Sequence, residues 1–292
     1  MFVVATVGHL ARKGSDFAER RVLITGAARG IGAALARRLH QRGVQLALLG
    51  IEPELLQQVS AECGDAPWRY CNVGDRAQVD AAVEALVAEL GGLDVLVANA
   101  GIGKQLPLIG GDPAVMEQTL QVNTLGVYYC VRAAGPHLAH ENGYVLLTSS
   151  LAAEINLPLL GAYSASKAAV KALGNTLRQE LRHTGAEVGI AYFAELDTDM
   201  TSRGFGTEAV RQCLGGKPLS GPAPLEPAID ALEQAIIRRE RRVVAPRWVD
   251  AVLPARAIAQ RVLELRLRRA VPGALRIART EDPPFTTEQP VA

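Results

Sequence analysis

A glycine-rich turn between a short apolar strand and a helix constrains the fold of this chain more than any other feature. The strand is Arg21–Thr25, and the turn Gly26–Gly32 reads G-A-A-R-G-I-G. A helix is predicted over Ala33–Gln41, followed by a second strand over Val44–Leu49. Because the first strand is almost entirely apolar, we expect it inside a parallel sheet covered on both faces. Glycines at the start of the helix let a bound pyrophosphate approach the backbone, so this βαβ unit is typical of dinucleotide binding.

The same alternation of strand and helix continues along the chain. Further strands are predicted over Trp68–Val73, Leu93–Ala98, Tyr144–Thr148 and Val188–Phe193, and helices over Ala77–Leu90, Pro113–His137 and Tyr163–His183. Strands joined by long helices have right-handed crossovers. We therefore expect an α/β fold with one doubly wound, Rossmann-like parallel sheet between two layers of helices. Ligands bind such sheets beyond the carboxyl ends of the strands.

A second informative feature is the spacing of three polar residues. Ser150 precedes Tyr163 by thirteen residues, and Lys167 follows that tyrosine by four. On a helix, Tyr163 and Lys167 share one face. An ammonium beside a phenol should lower the phenol's pKa from about 10, and such a phenol can exchange a proton with a substrate oxygen. The pair alone is a weak signal, and the apolar strand Tyr144–Thr148 leading to Ser150 strengthens it.

The composition excludes several classes of protein. Apolar residues make up 49% of the chain and the net charge is +1, which argues against a nucleic-acid-binding protein. The cysteines, which lie without C-x-x-C spacing at Cys63, Cys71, Cys130 and Cys213, predict reduced thiols and no zinc site. Met1–Lys13 does not resemble a signal peptide, and no apolar run approaches the ~18 residues that a membrane span needs. A cytoplasmic location is expected.

These motifs make residues Arg20–Pro246 similar to the short-chain dehydrogenases/reductases. The motifs are T-G-A-A-R-G-I-G at Thr25–Gly32, N-A-G at Asn99–Gly101, V-N at Val122–Asn123, S-S at Ser149–Ser150 and Y-S-A-S-K at Tyr163–Lys167. The resemblance implies an NAD(P)-dependent oxidoreductase that interconverts a carbonyl compound and an alcohol. A catalytically idle dinucleotide-binding sensor or scaffold is the alternative, although such a protein has no use for Lys167 beside Tyr163.

The resemblance also implies a catalytic tetrad. In it, Tyr163 is the acid/base and Ser150 orients the substrate carbonyl. Lys167 binds the nicotinamide ribose and lowers the tyrosine's pKa. Asn123 holds a water molecule that connects the lysine with solvent. A purely structural role for Asn123, as a helix cap or kink, is the alternative.

A cofactor groove follows from the same resemblance. Its predicted residues are Gly26, Arg29, Gly30, Ile31, Gly32, Gly50, Asn72, Asn99, Ala100, Gly101 and Thr198, together with Tyr163 and Lys167. NADP(H) is favoured, because Gly50 stands where NAD-preferring members carry an acid and Arg29 supplies a base for a 2′-phosphate. NAD(H) stays possible, since Glu52 could reach a ribose hydroxyl. Phe193-Ala194 replaces the family's Pro-Gly beside the nicotinamide, and Ala98 replaces an asparagine.

The ends of the chain lie outside the family core. Residues 1–19 are expected to be an N-terminal extension, 20–246 the catalytic domain, 247–279 a basic helical extension and 280–292 a disordered tail. Residues 247–279 hold eight arginines against two acidic residues, a net charge of +6, with a helix predicted over Ala255–Arg269. Ile258, Val262 and Leu265 share one face of this helix. That face could pack on the body or on a second subunit, or the helix could lie on an anionic membrane surface.

The substrate pocket and the assembly are also expected from these patterns. Residues 199–224 should form a loop over the site. Apolar residues near it, Ile102, Ile155, Leu157 and Leu159, suggest a small lipophilic ketone or alcohol as substrate. The resemblance implies a homodimer or homotetramer in which the helices at Pro113–His137 and Tyr163–His183 pair with their copies.

Overall fold

The computed structural model describes residues 17–198, 200–201, 205–215, 221–287 and 289. Its strands are β1 Arg21–Thr25, β2 Gln45–Gly50, β3 Trp68–Tyr70, β4 Val95–Ala98, β5 Tyr144–Thr148, β6 Glu187–Phe193 and β7 Arg242–Ala245. They form one sheet in the order β3-β2-β1-β4-β5-β6-β7, and every neighbouring pair is parallel. The predicted doubly wound parallel sheet is confirmed. The order reverses between β1 and β4, which is where such sheets bind ligands.

Helices cover both faces of the sheet. They are α1 Gly30–His40, α2 Pro53–Glu62, α3 Arg76–Leu90, α4 Pro113–Leu120, α5 Gly126–Leu138, α6 Gly161–Glu180, α7 Glu208–Cys213, α8 Glu226–Arg238, α9 Trp248–Val252, α10 Arg256–Leu267 and α11 Val271–Ala278, with 3₁₀ turns at Phe17–Glu19, Leu151–Ala153 and Arg182–Thr184. Side chains alternate across each strand. Val22 and Ile24 therefore pack with α1, α2 and α8, while Leu23 packs on the opposite side with α3, α5 and α6.

Several elements differ from the sequence prediction. The long helix expected over Pro113–His137 is divided by a π-helical segment, Gln121–Leu125, which carries Asn123. The strand expected to reach Val73 ends at Tyr70, because the chain then turns and the Oδ1 atom of Asn72 accepts a hydrogen bond from the Gly74 N–H (3.0 Å). The elements α2, α8 and β7 were not predicted. The last of these is a four-residue edge strand, too short for its periodicity to be recognised.

The C-terminal helix α10 packs on the body through a different face from the one predicted. Ile258, Val262 and Leu265 are 71%, 58% and 52% exposed. Leu263 and Leu267 are buried instead, in a cluster with Ile155 and Leu157 of the loop after β5 and with Cys213 of α7. The helix carries two apolar stripes, and periodicity alone does not decide which one faces inward.

Polar contacts explain why this face of α10 is the buried one. The backbone N–H of Asn156 donates to Oε1 of Gln260 (2.8 Å), and the Gln260 amide returns a hydrogen bond to the Asn156 carbonyl (3.4 Å). Arg256 lies 3.1 Å from Glu154, a carboxylate buried in the same loop. Arg256 and Gln260 lie on the same inward face of α10 as Leu263 and Leu267.

Residues 280–287, within the segment predicted as a tail, contact the body of the protein. Thr286 is 1% exposed, and its N–H donates to the carbonyl of Gly103 (3.0 Å). The Gly103 N–H donates in return to Oγ1 of Thr286 (2.9 Å). Although the segment has no regular secondary structure, these contacts hold it against the loop after β4. Residues 1–16, 288 and 290–292 lie outside the described residues.

Candidate active site

The turn after β1 is shaped as a cradle for a phosphate-bearing ligand. Gly26 has φ = +64°, and a Cβ there would lie 2.9 Å from Cα of Ala100. Helix α1 begins just beyond the turn, and Arg29 at its N-cap makes no capping hydrogen bond with its side chain. The first-turn N–H groups and the positive end of the helix dipole thus favour an anion. The residues present fit the pyrophosphate of a dinucleotide.

The N-A-G segment after β4 is held against this turn. Oγ1 of Thr25 accepts hydrogen bonds from the backbone N–H groups of Asn99 and Ala100, both at 3.0 Å. The side-chain amide of Asn99 donates to the carbonyl of Thr25 (3.1 Å). The carboxyl ends of β1 and β4 therefore form a single rigid rim.

One chamber of about 750 Å³ opens along this rim. Most of the predicted site residues line it, namely Gly26, Arg29, Gly30, Ile31, Gly50, Asn72, Asn99, Ala100, Gly101, Ser150, Tyr163, Lys167 and Thr198. Gly32 and Asn123 do not line it and lie behind its wall. The structure thus brings together residues from seven separated stretches of the chain.

Tyr163 and Lys167 lie one turn apart on α6, and both are buried. Nζ of Lys167 donates to the carbonyl of Thr148 at the end of β5 (2.9 Å) and lies 5.7 Å from the centroid of the Tyr163 ring. Ser150 follows the same strand. Its hydroxyl donates to the carbonyl of Phe193 (3.3 Å) and accepts from the N–H of Ala152 (3.1 Å).

Burial determines the protonation of this pair, and the expected fall of the tyrosine's pKa is not seen. Burial raises the pKa of Tyr163, while the hydroxyl of Ser150 acts in the opposite direction and lowers it. Burial also lowers the pKa of Lys167 to about 8. The ammonium donates to a carbonyl and not to the phenol, so desolvation prevails over charge attraction. The phenol is therefore neutral and able to donate a proton.

Asn123 connects two parts of the site from behind. Its Oδ1 accepts from the N–H of Ile102 (2.8 Å), and its Nδ2 donates to the carbonyl of Ile102 (2.9 Å) and to Oγ of Ser166 (3.0 Å). A Cβ on Gly101 would lie 3.2 Å from both Oδ1 of Asn123 and Nζ of Lys167. The absence of a side chain at Gly101 thus lets the amide and the amine approach the same point. π-Helical segments such as the one that carries Asn123 occur often at functional sites.

The substrate end of the chamber is largely apolar. Its wall includes Ile102, Ile155, Leu157, Leu160, Phe205, Val210, Leu214, Trp248, Val252 and Leu263. The ring of Phe205 meets that of Tyr163 edge to face, with centroids 5.2 Å apart. Leu159 does not line the chamber and packs instead with Ala209 and Ala278. Residues 248–269 were expected to pack near the substrate loop or on a second subunit, and Trp248, Val252 and Leu263 of this segment contribute to the wall.

At the opposite end, Arg29 is engaged by a carboxylate. Its Nε donates to Oε2 of Glu52 (2.8 Å), and a second nitrogen contacts the other carboxylate oxygen. Both side chains line the chamber beside Gly50. Arg29, which was predicted to bind a 2′-phosphate, is thus paired with Glu52, which was predicted to reach a ribose hydroxyl. The sequence contains both residues but does not reveal that they pair.

The segment 280–289 contributes residues that sequence reasoning missed. Thr286, Thr287 and Gln289 line the chamber. Farther along, the carboxylate of Glu281 accepts from the N–H groups of Glu208 and Ala209 at the start of α7 (2.8 and 3.1 Å). We call residues 280–287 the strap, because they run from α7 to the loop after β4. No motif or periodicity marks them.

Other kinds of site are not found within the described part of the chain. It holds no group of His, Cys, Asp and Glu side chains that could bind a metal ion. The four cysteines are buried free thiols. Among the same residues, no helix is both long and apolar enough to cross a membrane.

Comparisons with known proteins agree with this geometry. The sequence profile of the short chain dehydrogenases matches residues 20–209. The short-chain dehydrogenase ptmH of Penicillium ochrochloron is 38% identical over 175 residues, which are 58% of this chain and 63% of that protein. The 11-beta-hydroxysteroid dehydrogenase-like protein 6 of Arabidopsis thaliana is 32% identical over 253 residues, which are 82% of this chain and 73% of that protein.

A solved structure matches the fold. It is a short chain dehydrogenase/reductase from Burkholderia phymatum in complex with NAD, with a TM-score of 0.74 and 23% sequence identity. The match covers 87% of this chain and 97% of that one. The profile match covers more than half of this chain, and it includes the glycine turn, the N-A-G segment and the Ser-Tyr-Lys spacing. The chain therefore belongs to the short chain dehydrogenase family of oxidoreductases.

Proposed function

We propose that this protein interconverts a carbonyl compound and an alcohol with a nicotinamide dinucleotide, using Tyr163 as the acid/base. The observation that carries the proposal is a single chamber with two chemically distinct ends. One end has the glycine turn and the uncapped start of α1, and the other presents the buried phenol of Tyr163 among apolar side chains. A catalytically idle sensor would need only the first end.

Each catalytic side chain has a role that its surroundings support. The neutral phenol of Tyr163 donates a proton to the substrate oxygen during reduction and takes it back during oxidation. Ser150, next to it, donates to or accepts from the same oxygen and orients it. Lys167 is a buried amine whose pKa is about 8. It can therefore hold or release a proton near neutral pH beside the phenol of Tyr163. A bound nicotinamide supplies or accepts the hydride.

The preferred cofactor follows from the other end of the chamber. NADP(H) is favoured, since Gly50 places no carboxylate where a 2′-phosphate would lie and Arg29 lines the chamber beside it. NAD(H) is the alternative, because Glu52 already occupies the Arg29 guanidinium and its charge repels a phosphate. In our proposal a 2′-phosphate displaces Glu52 from Arg29, so affinity for NADP(H) includes the cost of breaking this ion pair.

The substrate is proposed to be a small lipophilic ketone or alcohol. The apolar wall described above supports this, and it contains few polar groups that could bind a sugar or a phosphate. The Arabidopsis relative, named for 11-beta-hydroxysteroids, fits the same substrate class.

The assembly is proposed to be a homodimer or homotetramer built on α4, α5 and α6. Leu125 ends the π-helical segment and Tyr128 lies in the first turn of α5. They are 39% and 46% exposed and would be covered in such an interface. Free, buried cysteines are compatible with a cytoplasmic location. Peripheral contact of α10 with an anionic membrane is a further proposal, taken up at the scale of the whole molecule below.

Turnover tests the function. The purified protein is incubated with a panel of cyclic and bicyclic ketones and alcohols, each with NADPH, NADH or the oxidised cofactors. We expect Tyr163→Phe to lower kcat by about 10²–10⁴-fold, since it removes only the acidic hydroxyl. Cofactor affinity should be unchanged. Tyr70→Phe, at an exposed position of the edge strand β3, is the matched control and should leave kcat unchanged. Near-normal turnover in Tyr163→Phe, or cofactor binding without turnover of any panel member, would contradict the proposal.

A further inference from the structure

A buried amide, Gln105, lies in the loop after β4 and has no role in the proposed chemistry. It is 4% exposed and lines the chamber. Gly103, two residues earlier, is close to the catalytic tyrosine, because a Cβ there would lie 3.4 Å from Cδ2 of Tyr163. Gln105 thus lies at the substrate end of the chamber.

One end of this amide is held by Thr207, at the start of α7. Oε1 of Gln105 accepts from both the N–H (3.3 Å) and the hydroxyl (2.6 Å) of Thr207. The Thr207 hydroxyl oxygen itself accepts from the N–H of Val210 (3.3 Å), so its proton is directed to Gln105. Since a backbone N–H can only donate, the oxygen of the Gln105 amide must face Thr207.

The other end of the amide is unpaired. Nε2 of Gln105 meets no hydrogen-bond acceptor within the part of the chain that the structure describes. Nε2 is not among the fully enclosed unpaired atoms of the described residues. Part of its surface therefore remains accessible. Because Gln105 is almost fully buried and lines the chamber, that surface faces the chamber. Leu160 and Phe205 line the same chamber, so the NH₂ group is a donor in a largely apolar wall.

We propose that Gln105 determines substrate specificity by donating a hydrogen bond from Nε2 to a second oxygen of the substrate. This inference rests on the proposed function and deepens it. The substrate class becomes lipophilic ketones or alcohols that carry a further neutral acceptor, such as a second carbonyl or an ester, at a distance from the reacting carbon. A substrate that lacks the acceptor leaves a buried donor unpaired and is disfavoured.

A matched pair of substrates tests the inference. A decalone has one carbonyl, and the decalindione of the same skeleton has two. Replacing Gln105 with methionine keeps the length of the side chain and removes both the Nε2 donor and the Oε1 acceptor for Thr207. We expect Gln105→Met to lower kcat/KM for the dione about tenfold, mainly through KM, and to change that for the decalone less than about twofold. Gln105→Glu, which can keep one oxygen toward Thr207 but offers an acceptor on the other side, should lower kcat/KM for the dione further.

Two measurements separate this inference from its alternatives. Cofactor affinity of Gln105→Met should match the wild type, and thermal unfolding of Gln105→Glu, which keeps an oxygen toward Thr207, should do so as well, whereas disruption of α7 through a lost Thr207 contact would lower kcat/KM for both ketones equally. Binding of the dione to the cofactor complex is followed by fluorescence of Trp248, which lines the chamber. If binding depends on Gln105 but no ketone is turned over, the proposed function fails and the role of Gln105 stands. Equal effects on both ketones, or a wild type that does not prefer the dione in binding or turnover, overturn the inference.

Discussion

At the scale of single residues, the active site depends on the energy of burying ionisable groups. Lys167 and Tyr163 are both enclosed, and in each the neutral form is favoured by desolvation. Burial of the Lys167 ammonium therefore lowers the free energy of unfolding at neutral pH. This cost should be visible in the pH dependence of stability.

We expect the stability of the wild type to rise with pH between about pH 8 and 10.5 relative to Lys167→Met. The folded pKa of Lys167 is about 8 and its ordinary value is 10.5, so in this window the unfolded chain binds more protons. Below pH 8 the cost of burying the ammonium is fully present, and above 10.5 it vanishes. Urea unfolding at pH 7.5 and 9.5 measures the difference, at most about 1.4 kcal/mol per pH unit. The raised pKa of Tyr163 acts in the opposite sense only above about pH 10. Parallel pH profiles for the two proteins would show that Lys167 is not desolvated.

The Arg29–Glu52 pair gives a second prediction at this scale. Glu52→Gln removes one carboxylate that competes for Arg29, so a 2′-phosphate meets less competition there. We expect NADPH affinity relative to NADH to rise about tenfold, and Arg29→Ala to change it in the opposite direction. Titration of both cofactors measures the ratio. Glu62→Gln, which breaks the exposed pair with Arg37, is the matched control. A ratio that Glu52→Gln leaves unchanged would mean that Arg29 does not recognise the phosphate.

At the scale of elements, the strap connects two parts of the cleft that are far apart in the chain. Glu281 caps the start of α7, and Thr286 pairs with Gly103 beside Tyr163. Between them, Phe285 packs on the core, and Lys104 lies 5.6 Å from the centroid of its ring. The strap thereby contacts both α7 and the loop after β4.

Removing residues 280–292 should open the substrate end of the chamber. The start of α7 loses its carboxylate acceptor, and the wall loses Thr286 and Thr287. We expect KM for a lipophilic ketone to rise about tenfold or more, while cofactor affinity changes less than threefold, because the glycine turn is untouched. Steady-state kinetics and cofactor titration measure both. Asp282→Asn breaks only the exposed ion pair with Lys104 and should be nearly neutral. An unchanged KM in the truncated protein would show that the strap is not part of the substrate site.

At the scale of the whole molecule, the outward stripe of α10 is an unusual surface. Ile258, Val262 and Leu265 are exposed, as are Arg261 and Arg266 on the same helix and Arg268 and Arg269 directly after it. Apolar side chains flanked by arginines are typical of helices that lie on anionic lipid surfaces. The stripe belongs to the helix that also lines the chamber, so membrane contact would bring lipophilic substrates close to the pocket.

We expect the protein to bind vesicles of acidic phospholipid at low salt and to dissociate as salt is raised. Changing Ile258, Val262 and Leu265 to serine should abolish binding. The same change at Leu108 and Ile109, which are also exposed but lie on the loop before α4, is the control. Vesicle flotation and sedimentation velocity measure the two properties. If the stripe is a subunit contact instead, the triple variant lowers the oligomeric state and the wild type fails to bind vesicles.

Much of the architecture was determined by the sequence alone, because it depends on spacing along the chain. Alternating apolar strands and amphipathic helices specify a doubly wound sheet, and the carboxyl ends of parallel strands then meet at one edge. Tyr163 and Lys167 had to share a face because they are four residues apart on a helix. Ser150 was expected near them because it follows β5, at the same edge of the sheet.

Only the tertiary structure decided the contacts between distant parts of the chain. The Arg29–Glu52 pair, the Thr207–Gln105 contact and the return of Thr286 to Gly103 link residues whose separation no local pattern records. Which stripe of α10 faces inward also depended on a partner, the loop after β5. The direction in which the pKa of Tyr163 shifts was decided in the same way, since burial is a property of all the surrounding atoms and not of the four-residue spacing of a phenol and an amine.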